Sequence, residues 1–111
     1  MAADTLLARR DAARRGRRLA LYAETRRRLR EALAELVPGQ PIWLFGSLTK
    51  PGRFHDRSDV DLALADEPPS MSVGRLASEL TDRLGRPVDL VLLDRCRFRD
   101  RILREGEQWT S

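Results

Sequence analysis

The sequence predicts a mixed α/β fold (α/β or α+β in class), in which helices flank one small mixed β-sheet. Three short apolar runs predict the strands, at residues 42–45, 59–65 and 87–94. Apolar residues repeat at helical spacing in three other segments, at residues 17–36, 71–85 and 97–106. Because 111 residues fit one small domain, we expect a single domain that consists of an arginine-rich helical segment, 1–36, and a core, 37–111.

The N-terminal segment ends in a helix whose apolar stripe contains Leu19, Leu29 and Leu33. Gly16 precedes this helix and predicts a break, so residues 1–15 are expected to form a separate or frayed helix. The sequence VPGQP at 37–41 ends the helix because proline and glycine interrupt helical hydrogen bonding.

The core begins with two strands joined by a turn-rich loop. The run IWLF at 42–45 is fully apolar and is bounded by proline and glycine, which is typical of a buried strand. In DVDLALA at 59–65 large apolar residues alternate with aspartates or alanines. This alternation puts Val60 on one face of the strand and both Asp59 and Asp61 on the other.

The second half of the core continues with a helix, a strand and a helix. Ser70 or Ser72 is placed to cap helix 71–85, and Gly85 to end it. The apolar run PVDLVLLD predicts the third strand, and Gly106 ends the last helix.

The net charge of +4 is concentrated in the first 36 residues, which contain ten arginines and five acidic residues. A nucleic-acid-binding surface is one interpretation of such a segment. The other is a solvated helix face, which the lack of interleaved aromatic residues favours, because bases stack on aromatic rings. RNA is therefore an alternative partner and not the first choice.

Membrane insertion and secretion are not indicated by the sequence. No apolar stretch approaches the roughly 20 residues that span a bilayer, and the N-terminus lacks the apolar region of a secretory signal. Cys96 is the single cysteine, so an internal disulfide is excluded. We therefore expect a cytoplasmic protein with no membrane partner.

Asp59 and Asp61 are the first candidates for chemistry, because both lie on one face of a predicted strand. Two ionised carboxylates at this spacing repel each other, and desolvating them is costly unless they are paired. Mg²⁺ relieves the repulsion, since it binds carboxylate oxygens together with substrate phosphates. The alternative is a strand end that reaches solvent, where Asp59 caps a turn.

Asp89 favours the metal site over that alternative. It lies within VDLVLL, a strand that is otherwise apolar, where an aspartate needs a compensating charge. If this strand is a neighbour of the strand at 59–65, the three aspartates converge. Three convergent carboxylates are a ligand set for two-metal phosphoryl or nucleotidyl transfer.

Gly46 and Ser47 form a candidate phosphate-binding pair. They follow a buried strand at a point where a helical turn can begin, so that backbone N–H groups face the ligand. Glycine allows a phosphate to approach closely, and the serine hydroxyl is a further donor. The segment is not a P-loop, because the spacing of Gly46 and Gly52 is wrong and no Gly-Lys-Ser/Thr follows.

Together, LFGS, eleven intervening residues and DVDLAL resemble the signature of the nucleotidyltransferase superfamily typified by DNA polymerase β. Within that superfamily the chain is most similar to the minimal nucleotidyltransferases, the MNT proteins, over roughly residues 42–106. The resemblance implies that Gly46 and Ser47 bind the nucleoside triphosphate. It also implies a metal-binding and catalytic set of acids, namely Asp59, Asp61 and Asp89.

Many MNT proteins are the antitoxin half of a pair whose toxin is a HEPN-domain protein. The resemblance therefore implies an enzyme that uses Mg²⁺, as two ions, and ATP as its substrate. It would transfer AMP to a tyrosine hydroxyl of a HEPN ribonuclease toxin and so neutralise that toxin.

The chain departs from the family pattern at one position. Family members often have an arginine directly after Gly-Ser, whereas this chain has Leu48. Lys50 is the next positive charge, and we expect it to contact the nucleotide. Arg53 is more simply interpreted as a loop charge.

Two alternatives to the antitoxin enzyme remain open. One is an antitoxin that inhibits by binding alone, which the intact Gly-Ser pair and three aspartates disfavour. The other is a nucleotidyltransferase that modifies a small molecule or an RNA end.

Three other residues have a simple structural explanation. His55 is expected to be an exposed turn residue more than a proton shuttle, and Cys96 a packing residue. Trp109 is expected either to contact a partner or to clamp the fold.

Overall fold

A computed structural model describes residues 5–110 of the chain. Residues 1–4 of the predicted N-terminal segment and residue 111 of the predicted core lie outside this part. The helices and strands, in chain order, are α1 (Leu6–Leu36), β1 (Pro41–Phe45), β2 (Val60–Leu64), α2 (Val73–Leu84), β3 (Val88–Leu92), α3 (Arg99–Glu105) and β4 (Glu107–Thr110). Short 3₁₀ turns follow β1, at Gly46–Thr49, and β3, at Leu93–Arg95.

The four strands form one mixed sheet in the order β3-β2-β1-β4, which confirms the predicted fold class. β1 is antiparallel to both of its neighbours, β2 and β4. β2 and β3 are parallel, and α2 is the connection between them, because parallel strands need a crossover. The two strands that carry the predicted acids are therefore neighbours.

The first helix, α1, is continuous over 31 residues, so the predicted break at Gly16 is wrong. A Cβ at Gly16 would meet nothing within 4 Å, and one exposed glycine costs a helix only about 1 kcal/mol. The arginine, leucine and alanine residues around it are good helix formers, which outweighs that cost. Thr5 caps the helix by accepting a hydrogen bond from the Ala8 N–H at 3.1 Å.

The C-terminal strand, β4, was not predicted. It pairs with β1 so that Trp109 lies opposite Ile42. The indole is buried, and the guanidinium carbons of Arg26 and Arg30 lie 5.0 and 4.1 Å from its ring centroid, within cation–π range. Arg26 is also paired with Glu107. Of its two predicted roles, Trp109 therefore has that of a clamp, since it fastens the end of the chain to α1.

The main core lies between one face of the sheet and the helices α1 and α2. It contains Leu29 and Leu33 of α1, Leu44 of β1, Leu62 of β2 and Leu80 of α2, all fully or almost fully buried. The opposite face of the sheet has a smaller apolar cluster of Ala63, Leu93 and Ile102, partly covered by α3. This second face leaves room beside the strands for a site.

None of the helices within residues 5–110 is long and apolar enough to cross a membrane.

Replacing Leu29 by alanine is expected to lower the free energy of unfolding by about 2–5 kcal/mol, because its side chain is fully buried in the main core. Leu19→Ala, on the same helix but 50% exposed, should change it by less than about 0.5 kcal/mol. Urea titrations of both variants measure the difference. Equal losses would show that α1 does not pack on the core through the face that contains Leu29.

Candidate active site

Three neighbouring strands place Phe45, Asp61 and Asp89 in one row across the second face of the sheet. Phe45 pairs with Asp61 in the antiparallel register of β1 and β2. Asp61 in turn pairs with Asp89 in the parallel register of β2 and β3. Residues in register on adjacent strands have side chains about 5 Å apart on the same face, so the two carboxylates are direct neighbours.

Asp59 adds a third negative charge to this row. It lies one residue before β2 and is exposed, whereas Asp61 is partly buried. The pKa of the Asp61 carboxyl is raised to about 6, first by its burial and then by the charges of Asp89 and Asp59. The structure thus brings together the three predicted acids within electrostatic reach of one another.

No basic side chain neutralises these acids within residues 5–110. None of the three is within 4.0 Å of an arginine, lysine or histidine nitrogen, although acidic residues elsewhere, such as Glu24 and Glu107, have arginine partners. A structural role would require such a partner. Unpaired carboxylates are, by contrast, the donor set that Mg²⁺ prefers.

The fit to magnesium rests on this donor set and not on a preformed cage. In the described part of the chain, no group of three or more acidic, histidine or cysteine side chains is already gathered closely enough to hold a metal ion. Asp61 is flanked by the other two acids and repelled by both. A divalent cation would convert that repulsion into attraction.

Gly46 lies directly against the carboxylate of Asp61. Its φ is +74°, and a Cβ at this position would be 2.5 Å from Oδ2 of Asp61. Only glycine combines this left-handed backbone with so close an approach. The turn that follows is held by Thr49, whose hydroxyl donates to the Gly46 carbonyl at 2.7 Å. The predicted phosphate-binding backbone is therefore adjacent to the predicted metal-binding acid.

A cavity of about 730 Å³ opens in front of Gly46 and Ser47. Its walls include three cationic side chains, Lys50, Arg53 and Arg101. Lys50, the predicted nucleotide contact, thus lines the same cavity as the Gly-Ser pair, and so does Arg53, which was interpreted as a loop charge. Within residues 5–110 the Ser47 hydroxyl makes no hydrogen bond. The positive charge of this cavity is complementary to the negative charge of a polyphosphate.

A second cavity, of about 710 Å³, is lined by Asp61 and Asp89. Phe45 and Phe98 line both cavities, so the two adjoin each other. Phe98 is 60% exposed, although it is large and apolar. Arg95 and Arg97 also line the second cavity. One continuous site therefore has a cationic half and a half that contains the acids, with two aromatic rings between them.

Arg101 and Phe98 were not predicted as site residues. Both come from the segment after β3, which returns to the end of β1 only in the folded chain. The excess of arginines from position 95 to 104 could have indicated a phosphate-binding site, but solvated helix faces have the same composition. Arg101 donates to Glu105 at 3.0 Å, which lowers the pKa of that carboxyl.

Leu48 and His55 lie in the segment that joins β1 to β2, close to the site. Leu48 occupies the position after Gly-Ser and is fully buried in the main core, which explains why no charge stands there. His55 is exposed, and its Nδ1 accepts from the Arg57 N–H at 3.1 Å, as expected of a turn residue.

This geometry agrees with the comparison with protein families. A family model described as "Polymerase beta, Nucleotidyltransferase" matches residues 27–110. The chain belongs to this family. The mixed α/β fold described above is therefore that of a nucleotidyltransferase. No curated protein matches the sequence.

Solved structures similar to this nucleotidyltransferase are chains of toxin–antitoxin complexes. One, a complex with AMP-PNP, is 31% identical, covers 77% of this chain and 73% of its own, and gives a TM-score of 0.58. A second, MntA–HepT, is 26% identical, covers 80% of this chain and 73% of its own, and gives a TM-score of 0.55. A third, tri-AMPylated Shewanella oneidensis HEPN toxin with MNT antitoxin, is 24% identical and covers 81% of this chain and 73% of its own. At this identity, its TM-score of 0.54 supports the fold alone. The resemblance to MNT antitoxins is confirmed.

Asp61→Asn is expected to stabilise the metal-free protein at pH 8 but much less at pH 4. The pKa of Asp61 is raised from 3.8 to about 6 in the folded state. Its charge therefore destabilises the fold fully above pH 6, and this cost fades as the pH falls towards the unfolded value. Because the side chain is only partly buried, we expect a gain of about 1 kcal/mol at pH 8.

Urea titrations in EDTA at the two pH values measure this gain. Asp82→Asn, at an exposed position of α2, is the control and should show no such pH dependence. An equal gain from Asp61→Asn at pH 4 and pH 8 would contradict the repulsion between the acids.

Proposed function

We propose that this nucleotidyltransferase transfers AMP from ATP to a tyrosine hydroxyl of a HEPN toxin and thereby neutralises the toxin. The observation that carries the proposal is the row of unneutralised acids, with Asp61 beside Asp89 in register and Gly46 against Asp61. A phosphate-binding turn in contact with an acidic row suits a substrate that combines phosphates with metal ions.

The cationic cavity would bind the β- and γ-phosphates of ATP. Gly46 and Ser47 would donate backbone and hydroxyl hydrogen bonds to phosphate oxygens. Lys50, Arg53 and Arg101 line the same cavity and would neutralise phosphate charge. The planar guanidinium group of Arg101 can donate two parallel hydrogen bonds to phosphate oxygens. These cations would also hold the pyrophosphate as it leaves.

Asp59, Asp61 and Asp89 would hold two Mg²⁺ ions. Bound there, these ions would neutralise phosphate charge and make the acceptor hydroxyl more acidic. The acceptor oxygen would attack the α-phosphorus in line as the bond to pyrophosphate breaks. The hydroxyl proton would pass to the carboxylate of Asp89, which is exposed and so accessible to an acceptor from another chain.

A protein acceptor is supported by two comparisons. The neighbour that is 31% identical is a toxin–antitoxin complex with AMP-PNP, and the one that is 26% identical is MntA–HepT. The resemblance to MNT proteins implies the tyrosine of a HEPN partner as acceptor and ATP as donor. The exposed Phe98 beside both cavities offers a ring on which an adenine or an acceptor tyrosine would stack.

Incubation with α-labelled ATP, Mg²⁺ and a cognate HEPN protein should label that protein and inhibit its ribonuclease activity. The double variant Asp59→Ala with Asp61→Ala should lose the labelling by at least about a thousandfold, since metal binding and charge stabilisation fail together. Asp66→Ala with Asp82→Ala removes the same charge at exposed positions and should label normally.

Labelling by the double variant at the wild-type rate would disprove the role of the acids. If the double variant neutralises the toxin without labelling it, the protein inhibits the toxin by binding alone. Labelling of RNA in place of the HEPN protein would favour an enzyme that acts on RNA ends.

Arg101→Gln should raise the KM for ATP about tenfold with a smaller effect on kcat, because a charge-assisted phosphate contact contributes roughly 1.5 kcal/mol. Arg104→Gln is the matched control, since Arg104 belongs to the same helix and is exposed but does not line the cavity. Initial rates at varied ATP measure both constants. An equal effect of the two substitutions would assign the loss to net charge and not to a phosphate contact.

A further inference from the structure

The arginines of α1 fall into two groups that differ in their partners. In the second half of the helix they are paired: Arg26 with Glu107, Arg27 with Glu24 and Glu31, Arg28 with Glu24, and Arg30 over the ring of Trp109. In the first half, Arg14, Arg17 and Arg18 have no carboxylate within 4.0 Å among residues 5–110. Their charge is therefore available to a ligand.

These three arginines form one wall of a cleft of about 380 Å³. At spacing i, i+3 and i+4 they lie on one side of the helix, next to Leu21. The opposite wall is the turn His55–Arg57, which adds a fourth guanidinium and the carboxylate of Asp56. Asp56 forms no ion pair with them within the described residues. Four guanidinium groups thus face one small space with a single acid.

The first half of α1 extends beyond the core. Leu7 and Leu19 are 69% and 50% exposed, and the buried residues of the helix begin at Thr25. Arg10 and Arg15 add two further positive charges to this part of the helix, and Asp11 adds one negative charge. Residues 10–18 cover about 12 Å of helix axis. Successive phosphates of a nucleic-acid strand are about 3.4 Å apart along a duplex axis, and the surface is long enough for several of them.

We propose that this arginine cleft, formed by Arg14, Arg17, Arg18 and Arg57, binds the phosphate backbone of a nucleic acid. Guanidinium groups match phosphate oxygens in pairs, and a repeated anion uses all four without requiring a special sequence. Among the described residues, no Phe, Tyr or Trp lines the cleft, which indicates contact with the backbone more than stacking of bases.

The cleft is joined to the candidate active site by one loop. Residues 50–59 contribute Lys50 and Arg53 to the phosphate cavity and His55–Arg57 to the cleft, and they end at Asp59. A strand bound in the cleft would therefore lie against the loop that leads to the acids. The proposal requires no AMP transfer, so binding is tested without ATP or Mg²⁺.

The test compares two triple variants that lose the same charge. Arg14→Gln with Arg17→Gln and Arg18→Gln removes one wall of the cleft. Arg27→Gln, Arg28→Gln and Arg75→Gln together remove three exposed arginines elsewhere. Glutamine has nearly the helix propensity of arginine, and circular dichroism and thermal melts establish that both variants are folded. Fluorescence anisotropy with a labelled 20-nucleotide RNA, and with DNA of the same sequence, measures binding between 50 and 200 mM salt.

Wild type should bind saturably, and the cleft variant should bind at least about tenfold more weakly, with a salt slope smaller by about 2. The control should change affinity by less than about twofold. Preference for RNA or for DNA then identifies the natural strand. Equal losses of affinity in both variants, or an absence of saturable binding by wild type, would overturn the proposal. It would also be overturned if polyglutamate competed as well as RNA, since the cleft would then bind an acidic protein surface.

Discussion

The parallel pairing of β2 with β3 places two like charges, Asp61 and Asp89, directly opposite each other. Such a pair destabilises a sheet, and the register persists because the other face of the same strands is apolar. Val60, Leu62 and Leu64 are fully buried in the main core. A shift of one residue would exchange the faces of β2 and expose these three side chains. The hydrophobic core therefore enforces an electrostatic arrangement that the acids alone would not adopt.

The position of the Gly-Ser turn follows from the same register. Because β1 is antiparallel to β2, the end of β1 lies beside the start of β2, where Phe45 pairs with Asp61. The next residue, Gly46, must then pass close to the Asp61 carboxylate, and a side chain there would collide with it. The glycine is thus required by the acid as well as by its left-handed backbone. Leu48, two residues later, is fully buried and fixes the turn to the core.

The parts of this arrangement that depend on local patterns could be predicted from the sequence. The three apolar runs were sufficient to predict the fold class. The alternation around Asp61 and the lone acid in the strand of Asp89 indicated that these two strands belong together, and they are neighbours. β4 was missed because its four residues contain one large apolar side chain, Trp109, whose contacts lie on α1 and β1. The break at Gly16 was wrong because neighbouring helix formers outweigh one exposed glycine. Arg101 and Phe98 reach the site only through the packing of α3 against β1, which no local pattern records.

The charges around the site also restrict what can occupy it. The acids Asp61 and Asp89 line one cavity, and Lys50, Arg53 and Arg101 line the adjoining one. A simple anion would neutralise the cationic half and be repelled by the acids, whereas a lone cation would bind the acids and leave the excess positive charge of the cationic half without a ligand. A nucleoside triphosphate with bound metal carries both signs, and it would place its phosphates towards Gly46 and its metal towards Asp61. Each half of the site would then relieve the electrostatic cost of the other, so that ligand and metal should bind more tightly together than either does alone.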